Sequence, residues 1–91
     1  MGAFPTGSPK ELVKSIADGY TTFTVVSMRK FQPPHLRILL TNLDIVEREY
    51  QSEQFDEGDF DNIRKKNFRL QNIRRARMMV KEYIRTRRIV C

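Results

Sequence analysis

The chain has few residues of the kinds that build covalent or metal frameworks. Among its 91 residues there is one cysteine, Cys91, one histidine, His35, and no tryptophan. One cysteine can close no disulfide within the chain, and one cysteine with one histidine is too few for a zinc site. No apolar run approaches the roughly 18 residues that span a bilayer, and the first residues lack the basic start and apolar stretch of a signal peptide. We therefore expect an intracellular protein with no membrane span, disulfide framework or metal.

The motifs of common enzyme classes are missing as well. The sequence has no glycine-rich phosphate loop. Its carboxylates lie mostly in an acidic block between Asp44 and Asp61, where solvated charges on a helix are the ordinary explanation. His35 follows two prolines at a predicted helix start, which favours a surface or capping role. We predict a protein that is not an enzyme, with no catalytic residues and no cofactor.

Length and composition indicate one small folded domain. The chain weighs 10.8 kDa, and apolar residues make up 40% of it, which is enough for a single core. Residues 1–7 hold two glycines and a proline without periodicity and are expected to form a flexible leader. We expect residues 8–91 to form a single helical domain.

A short helix is predicted near the start of the chain. Ser8 is a preferred N-cap residue, and Pro9 suits the first helical position. Apolar residues follow at spacings of three and four until Asp18-Gly19, which weakens or ends the helix. Residues 21–31 are rich in β-branched and aromatic side chains, and we interpret them as irregular or weakly helical.

Two longer helices are predicted in the rest of the chain. One begins after Pro33-Pro34 and extends to about Gln54, because leucine and valine recur there with helical spacing. A turn around Gly58 follows, and Asp59 can cap a last helix that runs to about Arg88. Two long amphipathic helices joined by a short turn pack antiparallel to bury their apolar sides. The predicted fold class is all-α: a small helical domain with a capped short N-terminal helix and a long antiparallel helical hairpin.

Charge is divided unevenly along the chain. Residues 1–62 carry six Lys or Arg and ten Asp or Glu, whereas residues 63–91 carry eleven and one. Arginine outnumbers lysine by eleven to six, which favours planar contacts to carboxylate or phosphate. The basic excess is therefore confined to the last helix and indicates a partner with negative charge.

The hairpin also predicts where these cations lie. A turn centred near Gly58 sets Arg64 beside Tyr50, within the acidic block, and sets Arg74 beside Leu40, in a part of the first long helix that has no acidic residue. We therefore expect the last helix to carry an uncompensated basic flank. This basic flank consists of Arg74, Arg77, Lys81, Arg85 and Arg88.

The sequence leaves open what the basic flank does. It could bind nucleic acid phosphates or an acidic partner, or it could be a set of solvated arginines whose stems shield the core. Base-specific DNA reading is not expected, since the chain has no helix-turn-helix, zinc-finger or RNA-binding aromatic motif.

Apolar residues of the last helix are candidates for a partner interface. Phe68 and Met79 fall outside the main apolar arc of the helix, and an exposed apolar side chain there extends the surface available to a second subunit. We predict an interface formed by Phe68, Met79 and Tyr83, toward sister subunits or a second copy of the chain. The Met78-Met79 pair could line a partner groove, but such residues in an amphipathic helix are more often packing filler.

Two stretches of sequence resemble one protein family. Residues 8–13, read Ser-Pro-Lys-Glu-Leu-Val, are similar to the Thr-Pro-x-Glu-Leu-Ile motif that opens the GINS replication-complex subunits of the Sld-five type. Residues 73–87 resemble the arginine-rich helix of those subunits, with Tyr83, Ile84, Arg85 and Arg87 fitting its Tyr-Leu/Ile-Arg-Cys-Arg ending. The resemblance implies a helical domain that packs against sister subunits and joins the replicative helicase, and it implies a nuclear location.

Two functions are therefore expected from the sequence. The first is a non-enzymatic helical scaffold subunit of a GINS-like helicase assembly in DNA replication, acting through protein–protein contacts. The alternative is a small basic regulator that contacts DNA or RNA phosphates through its C-terminal helix.

Overall fold

The computed structural model describes residues 8–21 and 24–87. Four helices make up this part of the chain: α1 (Pro9–Ala17), α2 (Val25–Met28), α3 (Pro33–Ser52) and α4 (Phe60–Arg87). The described residues contain no strand, so the predicted all-α class is confirmed. The predicted leader at residues 1–7 lies outside the described residues.

Helix α1 is short because both of its ends carry strong caps. At its start the side chain of Ser8 accepts a hydrogen bond from the backbone N–H of Glu11, at 3.4 Å. At its end Gly19 adopts a φ of 83°, a left-handed conformation that glycine adopts without steric cost. The N–H of Gly19 donates to Ile16 and the N–H of Tyr20 donates to Ser15, which is the Schellman arrangement that closes a helix.

The segment predicted to be irregular or weakly helical contains one turn of helix, α2. Thr24 precedes this turn, and its hydroxyl oxygen accepts a 3.4 Å hydrogen bond from the backbone N–H of Ser27. At the end of the turn Met28 is buried. The segment thereby adds a core residue although it is too short to form a stable helix alone.

Helix α3 begins at the double proline, as predicted. The backbone N–H of Gln32, the N-cap residue, donates a 3.2 Å hydrogen bond to Nδ1 of His35. His35 is only 6% exposed, so its predicted capping role is confirmed and a surface role is wrong. The one histidine of the chain therefore has a structural role at the start of α3.

Helix α4 is the long element of the fold. It has 28 residues, or about 42 Å at 1.5 Å per residue, and contains neither glycine nor proline. Asp59 caps its start by accepting a hydrogen bond from the backbone N–H of Asn62. Helix α4 contacts α1, α2 and α3, so it forms one wall of the core along most of its length.

The core lies between α1, α3 and α4. The helices α1 and α3 pack on each other and on α4, and α2 closes one end against α4. The buried apolar side chains of this core are Val13, Ile16, Ala17, Met28, Phe31, Leu36, Leu39, Leu43, Val46, Ile73, Ala76 and Val80.

The register of the hairpin differs from the prediction. Glu47 of α3 lies level with Arg74 of α4, whereas a turn centred near Gly58 sets it level with residue 67. The reason is the path of the connection. Helix α3 ends at Ser52, and Glu53 is extended with φ −67° and ψ 130°, so the chain moves away from α3 before α4 begins.

A lysine of α4 marks where the two helices meet. The ammonium group of Lys66 donates hydrogen bonds to the backbone oxygens of Gln51, at 3.2 Å, and Glu53, at 2.6 Å. Residues 60–65 therefore extend beyond the C-terminal end of α3. Relative to the predicted register, the shift is three to five residues at Lys66 and seven residues, or about two turns of helix, at Arg74.

Candidate functional site

The first half of the predicted basic flank is paired with acidic residues of α3. Nε of Arg74 lies 3.0 Å from Oε2 of Glu47, and Nη2 of Arg77 lies 3.0 Å from Oδ1 of Asp44. Arg77 also bonds Oε1 of Glu47. The prediction that Arg74 and Arg77 face no acidic residue is therefore wrong, because the two-turn shift in register places both beside the acidic part of α3.

The second half of the basic flank lies beside a part of α3 that has no acidic residue. Residues 33–43 contain no Asp or Glu. Among the described residues Lys81 forms no ion pair, whereas Nη2 of Arg85 lies 2.5 Å from Oε1 of Glu82 on its own helix. Arg88, the last member of the predicted flank, lies outside the described residues.

The pKa shifts follow the same pairs. The hydrogen bond from Arg77, assisted by the bond from Arg74, lowers the pKa of Glu47 below its usual value, although partial burial opposes the shift. The bond from Arg85 lowers the pKa of Glu82, and that same pair raises the pKa of Arg85. Glu47 and Glu82 therefore act as counter-ions of the basic flank within the chain.

The described part of the basic flank is thus close to neutral. Its four cations, Arg74, Arg77, Lys81 and Arg85, face three carboxylates, those of Asp44, Glu47 and Glu82. A phosphate that bound to all four cations would have to compete with these internal partners. The electrostatic attraction of the flank for a polyanion is correspondingly reduced.

An apolar groove lies on the other side of α4. It has a volume of about 540 Å³, and its lining residues come from α2 and the C-terminal half of α4. They are Met28, Met78, Met79, Glu82, Tyr83, Thr86 and Arg87. The guanidinium of Arg87 lies over the ring of Tyr83, 5.3 Å from its centre, so a cation–π contact forms the rim of this methionine groove.

A second groove continues along α4 toward α1. It has a volume of about 350 Å³ and includes Ile16, Gly19, Phe68, Ala76 and Met79 among its lining residues. Met79 lines both grooves. Met79 therefore connects the two grooves, although the lining of the second groove also includes the polar residues Thr21, Thr24, Asn72 and Arg75.

The three predicted interface residues line these grooves: Phe68 lines the second groove, Tyr83 lines the methionine groove, and Met79 lines both. Phe68 is half-exposed, and Met79 and Tyr83 are partly buried against the core. Met78, interpreted from sequence as packing filler, is 71% exposed, so that interpretation is wrong. Met28 was not predicted at the site because nothing in its local sequence shows that α2 folds against α4.

Side chains of α4 also hold α1 in place beside the second groove. Nδ2 of Asn72 donates a 2.9 Å hydrogen bond to the backbone oxygen of Ala17, the last residue of α1. Nε of Arg69 lies 2.8 Å from Oδ1 of Asp18, and its guanidinium also lies over the ring of Tyr50, 5.4 Å from the ring centre. Burial, with Asp18 nearby, raises the pKa of Tyr50. These contacts hold α1 against α4 and thereby fix one wall of the second groove.

Neither a metal-binding group nor a membrane-spanning helix is found among the described residues. No group of three or more His, Cys, Asp or Glu in residues 8–21 and 24–87 is placed to bind a metal ion. In the same part of the chain, every helix is too short or too polar to cross a membrane.

The comparisons with known proteins add no relative. No protein-family model, curated protein or solved structure matches the chain.

Proposed function

We propose that this chain is a non-enzymatic helical scaffold subunit that acts through protein–protein contacts in a GINS-like DNA replication helicase assembly. The observation that carries the proposal is the pair of grooves along α4, which share Met79 and are lined by the other two predicted interface residues, Tyr83 in the methionine groove and Phe68 in the second groove. A catalytic role has no comparable support among the described side chains.

The composition of the methionine groove suits a protein partner. Methionine side chains are unbranched and polarizable, so they adapt to the shape of an apolar partner surface. Met78 is largely exposed, and Tyr83 offers an apolar ring with a polar tip, a combination enriched at interfaces. Burying this surface under another helix removes apolar area from water, which stabilises the complex by about 25 cal/mol for each Å² buried.

The assignment to a replication assembly rests on the resemblance of residues 8–13 and 73–87 to GINS subunits of the Sld-five type. Two residues of that resemblance have partners within the chain, since Arg85 bonds Glu82 and Arg87 lies over Tyr83. In this proposal Arg87 forms part of the rim of the methionine groove, and Arg85 forms part of the exposed surface beside that groove.

The alternative function is phosphate binding by a small basic regulator. The observation in its favour is the stretch of α3 without acidic residues beside Lys81 and Arg85. Against it stands the pairing of Arg74 and Arg77 with Glu47 and Asp44. A protein that used five or more cations on duplex DNA would show a slope of about −4 or steeper in log affinity against log salt.

Capture from a nuclease-treated cell extract tests the scaffold function. We expect subunits of the replicative helicase to bind the tagged chain and to be identified by mass spectrometry. The Tyr83→Ala variant should lose them, because it removes part of the methionine groove. Tyr20→Ala is the matched control, since Tyr20 is 85% exposed. Absence of helicase subunits from the wild-type capture, or equal loss with both variants, would contradict the proposal.

Fluorescence anisotropy with labelled duplex DNA at increasing salt tests the alternative. The scaffold function predicts weak binding with a shallow slope. A slope of about −4 or steeper that becomes shallower by about two in a Lys81→Gln, Arg85→Gln double variant would favour the phosphate-binding function instead.

A further inference from the structure

The outward side of α4 carries a regular stripe of exposed residues. From Asp61 to Arg85 their spacings alternate between three and four. The charged members are Asp61, Arg64, Arg75, Glu82 and Arg85, and the others are Phe68, Gln71 and Met78; all of them are exposed. We call this set the outer stripe.

The spacing of the outer stripe keeps its members on one side of α4, although six of the eight are charged or polar, so the stripe is not the apolar seam of a coiled coil. Steps of three and four average 3.5 residues, which keeps a seam facing a partner helix along its whole length. The core of this protein uses a different side of α4, where Ile73, Ala76 and Val80 are buried. The seam is therefore available to a second helix.

The outer stripe is complementary to itself when two copies run antiparallel. Pairing about residue 73 sets Asp61 opposite Arg85 and Arg64 opposite Glu82. The same register sets Phe68 opposite Met78, a contact of sulfur with an aromatic ring. Two-fold symmetry repeats each pair, as an interface between identical subunits requires.

Other registers lose this complementarity. A shift of one heptad in one direction sets Arg64 opposite Arg75, and a shift in the other leaves no opposite charges facing each other. A parallel pair would set each residue opposite its own copy, so arginine would face arginine. Like charges facing each other across an interface are unfavourable.

The existing ion pair within α4 fits the antiparallel arrangement. Glu82 and Arg85 already bond each other. A second copy adds Asp61 beside Arg85 and Arg64 beside Glu82, so negative and positive groups alternate across the seam. Association therefore adds a second partner to each residue of the Glu82–Arg85 ion pair, which the single chain already forms.

We propose that the outer stripe of α4 is a self-association surface that binds a second copy of this chain antiparallel, about a two-fold axis near residue 73. This inference rests on the proposed scaffold function and adds to it a partner, the chain itself. The stripe is about 36 Å long. At a helix width of about 10 Å, each copy covers roughly 400 Å², less than the roughly 800 Å² per partner of stable complexes, so the dimer is weak and concentration-dependent.

Sedimentation equilibrium of the purified chain tests this. We expect dimer formation between about 10 and 500 µM, weaker at high salt because screening reduces attraction between exposed charges. Arg64→Glu and Glu82→Lys should each weaken association about tenfold, since each turns two attractive pairs into repulsive ones. An equimolar mixture of the two variants should restore it, because every pair across the mixed seam is again opposite in charge.

The controls separate this inference from general effects of charge and from the scaffold function. Arg48→Glu makes the same charge change at an exposed position on α3 and should leave association unchanged. Circular dichroism checks that each variant is folded. A monomer at all concentrations, a mixture as weak as the single variants, or equal weakening by Arg48→Glu would overturn the inference. The capture of helicase subunits is measured separately, so a failure of self-association and a failure of the scaffold function give different results.

Discussion

Arg77 of α4 bonds Glu47 of α3, and both side chains are largely withdrawn from solvent, at 20% and 14% exposed. Arg74 binds the second oxygen of the same carboxylate, and Asp44 binds the same nitrogen of Arg77. The cluster joins the two long helices on one flank, while the core joins them from within. It also explains why a chain with a net charge of +6 presents a nearly neutral flank in the middle of its most basic helix.

Replacing Glu47 by Gln should destabilise the protein in a pH-dependent way. Removing the carboxylate leaves Arg74 and Arg77 with weaker partners and should cost about 1–2 kcal/mol at pH 7. The native pKa of Glu47 is lowered from an ordinary value of 4.5. Its stabilisation is therefore full above that value and is lost as pH falls through the native pKa. Urea unfolding between pH 3 and 7 should show the wild type and the variant converging at acid pH.

The control for this prediction is Glu57→Gln, the same change at an exposed residue of the connection between α3 and α4. It should alter the free energy of unfolding by less than about 0.5 kcal/mol. A difference between wild type and Glu47→Gln that stays constant with pH would contradict the assigned role of the carboxylate.

Gly19→Ala should destabilise the end of α1. The residue has a φ of 83°, and an added Cβ would lie 3.2 Å from the ring of Phe68. The left-handed conformation alone costs a residue with a side chain about 1–2 kcal/mol, and the close approach adds to this. Thermal unfolding measures the loss. Gly58→Ala is the matched control, because a Cβ there meets no atom within 4 Å; an equal effect at both glycines would refute the explanation.

Asn72→Ala should loosen α1 without unfolding the hairpin. The side chain of Asn72 donates a hydrogen bond to the last carbonyl of α1, at Ala17. Its loss should cost about 1 kcal/mol. Hydrogen exchange should then be faster in the amides of α1 than in those of α3. Asn67→Ala, at an exposed position of the same helix, should leave exchange in α1 unchanged, and faster exchange throughout the chain would argue against a local effect.

Ile73→Ala should be among the most damaging single changes. The side chain is fully buried between the helices, and truncating a buried isoleucine to alanine costs about 2–5 kcal/mol. Ile45 supplies the matched control because it is 41% exposed; Ile45→Ala should cost less than about 1 kcal/mol. Chemical unfolding measures the free energy of unfolding of both variants. An equal loss at both positions would contradict the buried position of Ile73.

Helix positions could be predicted from the sequence because they depend on local chemistry. Ser8 caps α1, the double proline starts α3 and Asp59 caps α4, as predicted. Each of these signals acts within about four residues of chain. The prediction was incomplete at His35, whose capping bond is local but whose burial depends on distant parts of the chain.

The candidate surface was predictable only in part, for the same reason. A helical wheel drawn from the sequence alone places Phe68 and Met79 outside the main apolar arc of the last helix. Met28 joins the same surface from a different segment. Its place depends on how α2 folds against α4, and the spacing of residues within one helix does not show that.

The sequence by itself determined an all-α chain, its helix starts and a last helix with a large basic excess, since all of these follow from short-range sterics, capping and composition. Tertiary structure decided which cations remain without a partner. The extended backbone at Glu53 shifts α4 by about two turns along α3, and a shift of that size changes the neighbour of every side chain on the flank. Arg74 and Arg77 thereby gain Glu47 and Asp44, while Lys81 lies beside a part of α3 with no acidic residue.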